Sequence, residues 1–182
     1  MTALTIEAFS PQLQDWLARA DGRISIDPRR WPGAFVSLDG GEIVYLFDRA
    51  ADGMIVVSSS NRGGAPVENF RTPSLDVVER FLANEAGSSA RFLAGIAGDI
   101  RVPFQIDELA PGARLRVLTD GKLGGIEELS IDGEVVGEFG FGPSGRLAHA
   151  SAVRASHYGA ASLADIEESY LSPDGTPLFG LR

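Results

Sequence analysis

The chain contains no cysteine, and Lys122 is its only lysine. The first absence excludes a disulfide framework and thiolate metal sites, and it fits a reducing, cytoplasmic setting. The second leaves arginine to carry almost all positive charge, the codon signature of a GC-rich genome such as an actinobacterium's. Histidine is scarce as well: His149 and His157 stand alone, with no HExxH or similar ligand spacing, so no metal is expected. Long apolar runs are also missing, which excludes a spanning helix. The first ten residues hold neither a basic residue nor an apolar core, so no signal peptide is expected.

What is present suits a folded protein. The 182 residues are 44% hydrophobic and 23% charged, enough to bury a core as one domain over 1–182. The formal charge of -9 opposes binding to nucleic acid or an anionic membrane. It leaves a basic partner, or simple solubility, as the reason for the acidity.

Ser10-Pro11 predicts a helix start, with Leu13, Trp16, Leu17 and Ala20 on one face and Asp21-Gly22 as the stop. Strands are expected over 34–38, 42–47 and 54–58, separated by glycine turns, and the apolar middle strand is expected to be covered on both faces. Residues 23–33 and 61–66 read as polar loops. Thr72-Pro73 predicts a second helix, capped by Thr72 and ended or interrupted near Gly87. A second meander is expected over 114–118, 126–131 and 134–141, with Asp132-Gly133 as its hairpin turn. A strand is expected over 147–153. Ser162-Leu163-Ala164-Asp165 reads as a capping box opening a last helix, with Leu163, Ile166 and Tyr170 inward. The order predicts an α+β fold: antiparallel β meanders packed with three to four helices.

The motifs that point to chemistry each lack a partner. Gly140, Gly142 and Gly145 match GxGxxG, but Pro143 interrupts it and no amphipathic helix follows. Ser58-Ser59-Ser60 has the Ser-x-Ser of ADP-ribosylating enzymes without their Glu-x-Glu. The carboxylate pairs Asp107-Glu108, Glu127-Glu128 and Glu167-Glu168 read as solvated faces. No catalytic residue and no cofactor is therefore expected. Arg29-Arg30-Trp31-Pro32 is the one basic-aromatic cluster: either Trp31 packs at the core edge with solvated arginines, or the cluster is a contact patch.

Several segments, in order, resemble a known family. They are Asp15-Trp16-Leu17-Ala18, Glu42-Ile43-Val44-Tyr45, Ser59-Ser60-Asn61-Arg62-Gly63, and Ser74-Leu75-Asp76-Val77-Val78-Glu79-Arg80-Phe81-Leu82. Asp107-Glu108-Leu109-Ala110-Pro111-Gly112, Ser162-Leu163-Ala164-Asp165 and Ser169-Tyr170-Leu171-Ser172-Pro173-Asp174-Gly175 continue the series. The family is that of bacterial immunity proteins which includes the antitoxin of the mycobacterial necrotising toxin, an NAD-hydrolysing enzyme. The resemblance implies a cytoplasmic antitoxin that binds the catalytic domain of a cognate toxin one to one and blocks its active site. The family's members place a basic side chain from the N-terminal part in that site, where this chain offers Arg19, Arg23, Arg29 and Arg30. Arg23, Arg29, Arg30, Trp31, Asn61 and Arg62, in two polar Arg-bearing segments, are the expected toxin contacts. Two other readings stay open: an enzyme built on His149, His157 and nearby carboxylates, and a structural subunit with a large apolar self-interface.

Overall fold

A computed structural model of the chain describes residues 2–27, 31–119, 124–141 and 149–181. The N-terminal segment contributes a two-residue strand, β1 (Thr2–Ala3), and the first helix, α1 (Pro11–Arg19). Ser10 caps α1 as expected, its hydroxyl accepting from the Leu13 amide at 3.2 Å. Five antiparallel strands follow: β2 (Arg23–Asp27), β3 (Trp31–Leu38), β4 (Ile43–Arg49), β5 (Ile55–Asn61) and β6 (Val67–Thr72). The long helix α2 (Leu75–Leu93) comes next, then a short strand β7 (Ile100–Arg101). The second half holds β8 (Ala113–Thr119), β9 (Gly125–Ile131), β10 (Glu134–Phe141), α3 (Ala150–Tyr158), α4 (Leu163–Leu171) and β11 (Gly180–Leu181).

The two expected meanders form a single antiparallel sheet in the order β2-β3-β4-β5-β6-β10-β9-β8, while β11 pairs with β7 apart from it. The join is β6 against β10, with Phe70 opposite Phe139. Their rings stack 5.3 Å apart. Gly137 permits the approach, since a Cβ there would lie 2.6 Å from the Arg71 carbonyl oxygen. The Asp132-Gly133 turn between β9 and β10 is as expected, both residues having positive φ (51° and 90°), as a two-residue hairpin of this kind requires.

Alternation along the strands sends Ala34, Val36, Tyr45, Phe47, Ile55, Val57 and Phe70 to one face, where the helices bury them. The Trp16 indole N–H donates to the Ala83 carbonyl of α2 at 2.9 Å, so Trp16 is a core residue. Glu79 of α2 reaches the start of α1, accepting from the Ser10 amide at 2.5 Å and its hydroxyl at 2.7 Å. A carboxylate at a helix N-terminus is electrostatically favoured, which offsets the cost of burying it. The capping box at Ser162 and Asp165 is formed, and Ile166 and Tyr170 of α4 are buried.

Four expectations are corrected. Residues 23–27 and 31–33 are strand rather than loop, because each has a strand beside it to satisfy its backbone, and 67–72, where no strand was expected, form β6. Thr72 does not cap α2. Pro73 holds it extended, its hydroxyl donates to the Val136 carbonyl at 2.7 Å, and Ser74 takes the N-cap position. Gly87 neither ends nor breaks α2, which continues to Leu93. The strand expected over 147–153 is helical from Ala150; residues 147 and 148 lie outside the described residues.

Candidate functional site

The face of β3 and β4 turned away from the helices carries Phe35, Ser37, Val44 and Leu46, one per pleat. Phe35 stands opposite Leu46, and Ser37 opposite Val44. Two cavities open on this outer face. One, of about 440 Å³, is lined by Trp31, Phe35, Val44, Leu46 and Pro66. The other, of about 460 Å³, is lined by Arg23, Ser25, Asp27 and Ser37. Phe35 and Gly41 line both, so the two form one groove, apolar at one end and polar at the other. No residue of an α-helix lines it. Strand β4 was expected to be covered on both faces; on its outer side Leu46 and the neighbouring Phe35 are indeed buried, at 6% and 5% exposure, while Val44 is half-buried on the floor of this groove.

Four of the six expected contact residues lie on or beside the groove. Arg23 lines the polar end, opposite Ser37, and is exposed with no hydrogen-bond or ion-pair partner among the described residues. Trp31 lines the apolar end, half-buried and outside the hydrophobic core, and its indole N–H has no acceptor among the described residues. Asn61 and Arg62 sit at the tip of β5, beside the Gly63 and Gly64 that line the apolar end. Arg29 and Arg30 lie outside the described residues.

The tip that carries Arg62 is held firmly. Its amide donates to the Glu42 carbonyl at 2.7 Å, Gly64 N–H donates to Asn61 O at 2.9 Å, and the Ser60 hydroxyl donates to Gly64 O at 2.7 Å. Arg62 has φ of 50°, a left-handed conformation that a branchless residue would adopt more easily. Its guanidinium meets Glu42 at 3.3 Å, with both side chains more than half exposed, so water competes strongly for the pair. Arg62 is thus positioned by its backbone and its head is open to solvent.

Sequence reasoning passed over Phe35, Val44, Leu46 and Ser25. Apolar residues on both parities of 42–47 were the available signal, and they were read as cover. It also passed over Phe92 and Leu93, which end α2 81% and 57% exposed. They line a third depression, which shares Asp21 and Gly40 with the polar end of the groove.

The histidines do not converge. His149 Nδ1 lies 2.5 Å from Glu127 Oε2, whereas His157 Nε2 lies 2.8 Å from the Glu108 carbonyl oxygen on another element. Neither lines any cavity described above. Glu127 corrects the expectation of a solvated pair. It is fully buried, burial pushes its carboxyl above the usual range, the His149 contact opposes that, and Oε1 has no partner among the described residues. Glu128 points outward to Arg116, and Glu108 accepts from Arg101 and from the Phe104 and Gln105 amides. The GxGxxG match falls mostly on 142–148, outside the described residues.

Residues 16–178 match the family described as Immunity protein 61. The chain belongs to that family. Within it, the chain is 32% identical over 175 residues to the immunity factor for TNT of Mycobacterium tuberculosis (strain ATCC 25618 / H37Rv), covering 95% of this chain and 93% of that one. The homolog of that factor in Mycobacterium bovis (strain BCG / Pasteur 1173P2) matches to the same extent. The solved structure of Rv3902c from M. tuberculosis superimposes with a TM-score of 0.77 at 31% identity, covering 97% of both chains. The family resemblance read from the ordered segments and the α+β fold both hold. As a member of an immunity-protein family, the chain is an antitoxin.

Proposed function

We propose that this antitoxin neutralises a secreted toxin by seating the toxin's catalytic domain on the groove of β2–β5, as a non-catalytic inhibitor acting in the cytoplasm at one copy per toxin. The observation that carries the reading is the groove's make-up within a member of this family. An apolar centre of Trp31, Phe35, Val44 and Leu46 is flanked by serines and by exposed Arg23 in the lining, with exposed Arg62 beside it. That is the anatomy of a binding hot spot: aromatic and arginine anchors around a centre that a partner can dry. The indole N–H of Trp31 offers an unmet donor to an acceptor on the partner. The relatives are named for TNT, and the resemblance implies a toxin that hydrolyses NAD. Arg23 or Arg62 then supplies the basic side chain that enters its active site.

The test is co-expression with the cognate toxin, joined to affinity measurement on the purified pair. The native chain should restore growth and form a stable complex. Trp31→Ala should weaken binding by about 2 kcal/mol, roughly thirtyfold, with an unchanged thermal midpoint. Arg23→Ala and Arg62→Ala, tested singly, should separate the residue that inhibits from one that only binds. Full neutralisation by a chain carrying all three substitutions would refute the groove as the interface.

A further inference from the structure

The helix-covered face of the sheet holds a further cavity, about 390 Å³, between α2, α3 and strands β6 and β10. Its walls follow from helix periodicity. Arg154 and Tyr158 are four residues apart on α3, and Phe81 and Glu85 are four apart on α2, so each helix turns one stacked pair toward the same space. The floor is aromatic: Phe70 and Phe139 are stacked, and Phe81 packs edge-on against Phe70 at 4.9 Å. A neighbouring cavity of about 240 Å³ shares Glu85 and Arg154 with the first and is walled by Phe104 and Arg101.

The polar groups of this cleft are only partly satisfied. Tyr158 is 3% exposed, yet its hydroxyl has no hydrogen-bond partner among the described residues. Burial raises its phenol far above the ordinary value, so it is present as a donor. The Arg154 guanidinium lies 5.7 Å from the Phe104 ring centre and has no acceptor among the described residues. Glu85 accepts from the Tyr45 hydroxyl at 2.7 Å through one oxygen and from the Asn84 side-chain amide at 3.4 Å through the other, which leaves each oxygen room for one further donor. Arg154 is exposed and Tyr158 lines the cavity beside it, so an unpaired phenol and an unpaired guanidinium on one wall mark a place for an acceptor.

We propose that this cleft binds a small aromatic molecule bearing an acid group and a neighbouring hydrogen-bond donor. The acid group accepts from Arg154 and Tyr158, the donor faces Glu85, and the ring lies against Phe81 above Phe70 and Phe139. This chemistry is shared by an aromatic amino acid, with its carboxylate and ammonium, and a nucleoside monophosphate, with its phosphate and ribose hydroxyls. The cavity volume suits either. The inference does not rest on the toxin reading, because the cleft and the groove lie on opposite faces of the sheet.

Calorimetric titration of the full chain, without toxin, with tryptophan, adenosine monophosphate and inorganic phosphate tests it. Saturable binding of tryptophan or of the nucleotide is expected, and whichever binds identifies the source. Arg154→Ala should weaken it at least tenfold. Tyr158→Phe should weaken it about fivefold, the effect of one lost hydrogen bond, while the thermal midpoint stays the same or rises, since the lost hydroxyl has no protein partner. A structural tyrosine would instead lower the midpoint. Arg116→Ala, at an exposed side chain paired with Glu128 on β8 and outside the cleft lining, should leave ligand binding unchanged. The proposal is overturned by no saturation with either aromatic ligand up to roughly 10 mM, by phosphate binding as tightly as the nucleotide, or by binding that survives both cleft substitutions.

Discussion

Arg91 is 3% exposed, and no carboxylate faces it among the described residues. Its five hydrogen bonds all go to carbonyls: Ala97 and Gly98 beyond the end of α2, and Tyr170, Ser172 and Pro173 at the end of α4. Helix C-termini leave carbonyls unpaired and carry partial negative charge, so one guanidinium satisfies two helix ends. Arg91→Met should lower the unfolding free energy by about 3 kcal/mol or more, because it strands buried acceptors. Arg91→Lys should recover only part, since an ammonium cannot reproduce the planar fork; urea denaturation reads both, and full recovery by lysine would show that charge alone matters. Glu127 gives a pH prediction. Its carboxyl is raised from 4.5, chiefly by burial, so the folded chain holds that proton more tightly than the unfolded chain does. The resulting stability is complete below the ordinary carboxylate range and is lost as pH rises through the folded value. Glu127→Gln cannot ionise, so denaturation midpoints measured from pH 4 upward should lose that decline. An unaltered slope would mean that the His149 contact cancels the effect of burial. The burial of Glu127 was legible in part: counting by two from Leu129 and Ile131 puts 127 on the inner face, but exposed Ile126 argues for the other parity.

At the scale of elements, α2 is the axle of the helical layer, and Gly87 is where α4 touches it most closely. A Cβ at Gly87 would stand 2.2 Å from the Tyr170 ring. That ring has little room to retreat, because its hydroxyl donates to Asn84 at 3.0 Å and Phe179 packs against it at 5.3 Å. Gly87→Ala should therefore lower stability by about 2 kcal/mol, overpacking outweighing the roughly 1 kcal/mol that alanine gains in a helix. Thermal unfolding measures this, and a rise in midpoint would show that α4 can shift outward. Reading Gly87 as a helix end applied propensity correctly, but packing, which a single sequence does not display, decided the outcome. The capped starts at Ser10 and Ser162 and the Asp132-Gly133 hairpin were legible because their causes are local. Strands β2 and β6 were not: RISID and VENFRT alternate weakly, and they are extended only because β3, β5 and β10 lie alongside. Helix α3 was obscured by small residues, although Ala152, Ala155 and Ser156 bury one face at helical spacing.

On the whole molecule, the sheet separates two surfaces. The helix-covered face holds the core and the aromatic cleft, and the outer face presents the groove. Of the Arg-bearing segments foreseen from sequence, Arg23 lies on strand β2 and Arg62 at the tip of β5, both at the groove, but its floor comes from the outward parity of β3 and β4, which emerges only once strand register is fixed. The groove's rim mixes Arg23 and Arg62 with Asp21, Asp27 and Glu42, so no net positive patch offsets the -9 carried by the chain as a whole. A partner that meets this molecule first feels the net field and only then the rim. If the cognate toxin domain is basic, that field steers the encounter, and the association rate should fall about tenfold or more between low salt and roughly 0.5 M salt, with the dissociation rate nearly constant. Trp31→Ala should show the opposite pattern, because a desolvated anchor acts after encounter: faster dissociation and the same salt slope. Stopped-flow association of native and variant chains with the toxin, across a salt series, separates the two effects. An association rate indifferent to salt would assign the acidity to solubility alone and leave recognition entirely to the groove.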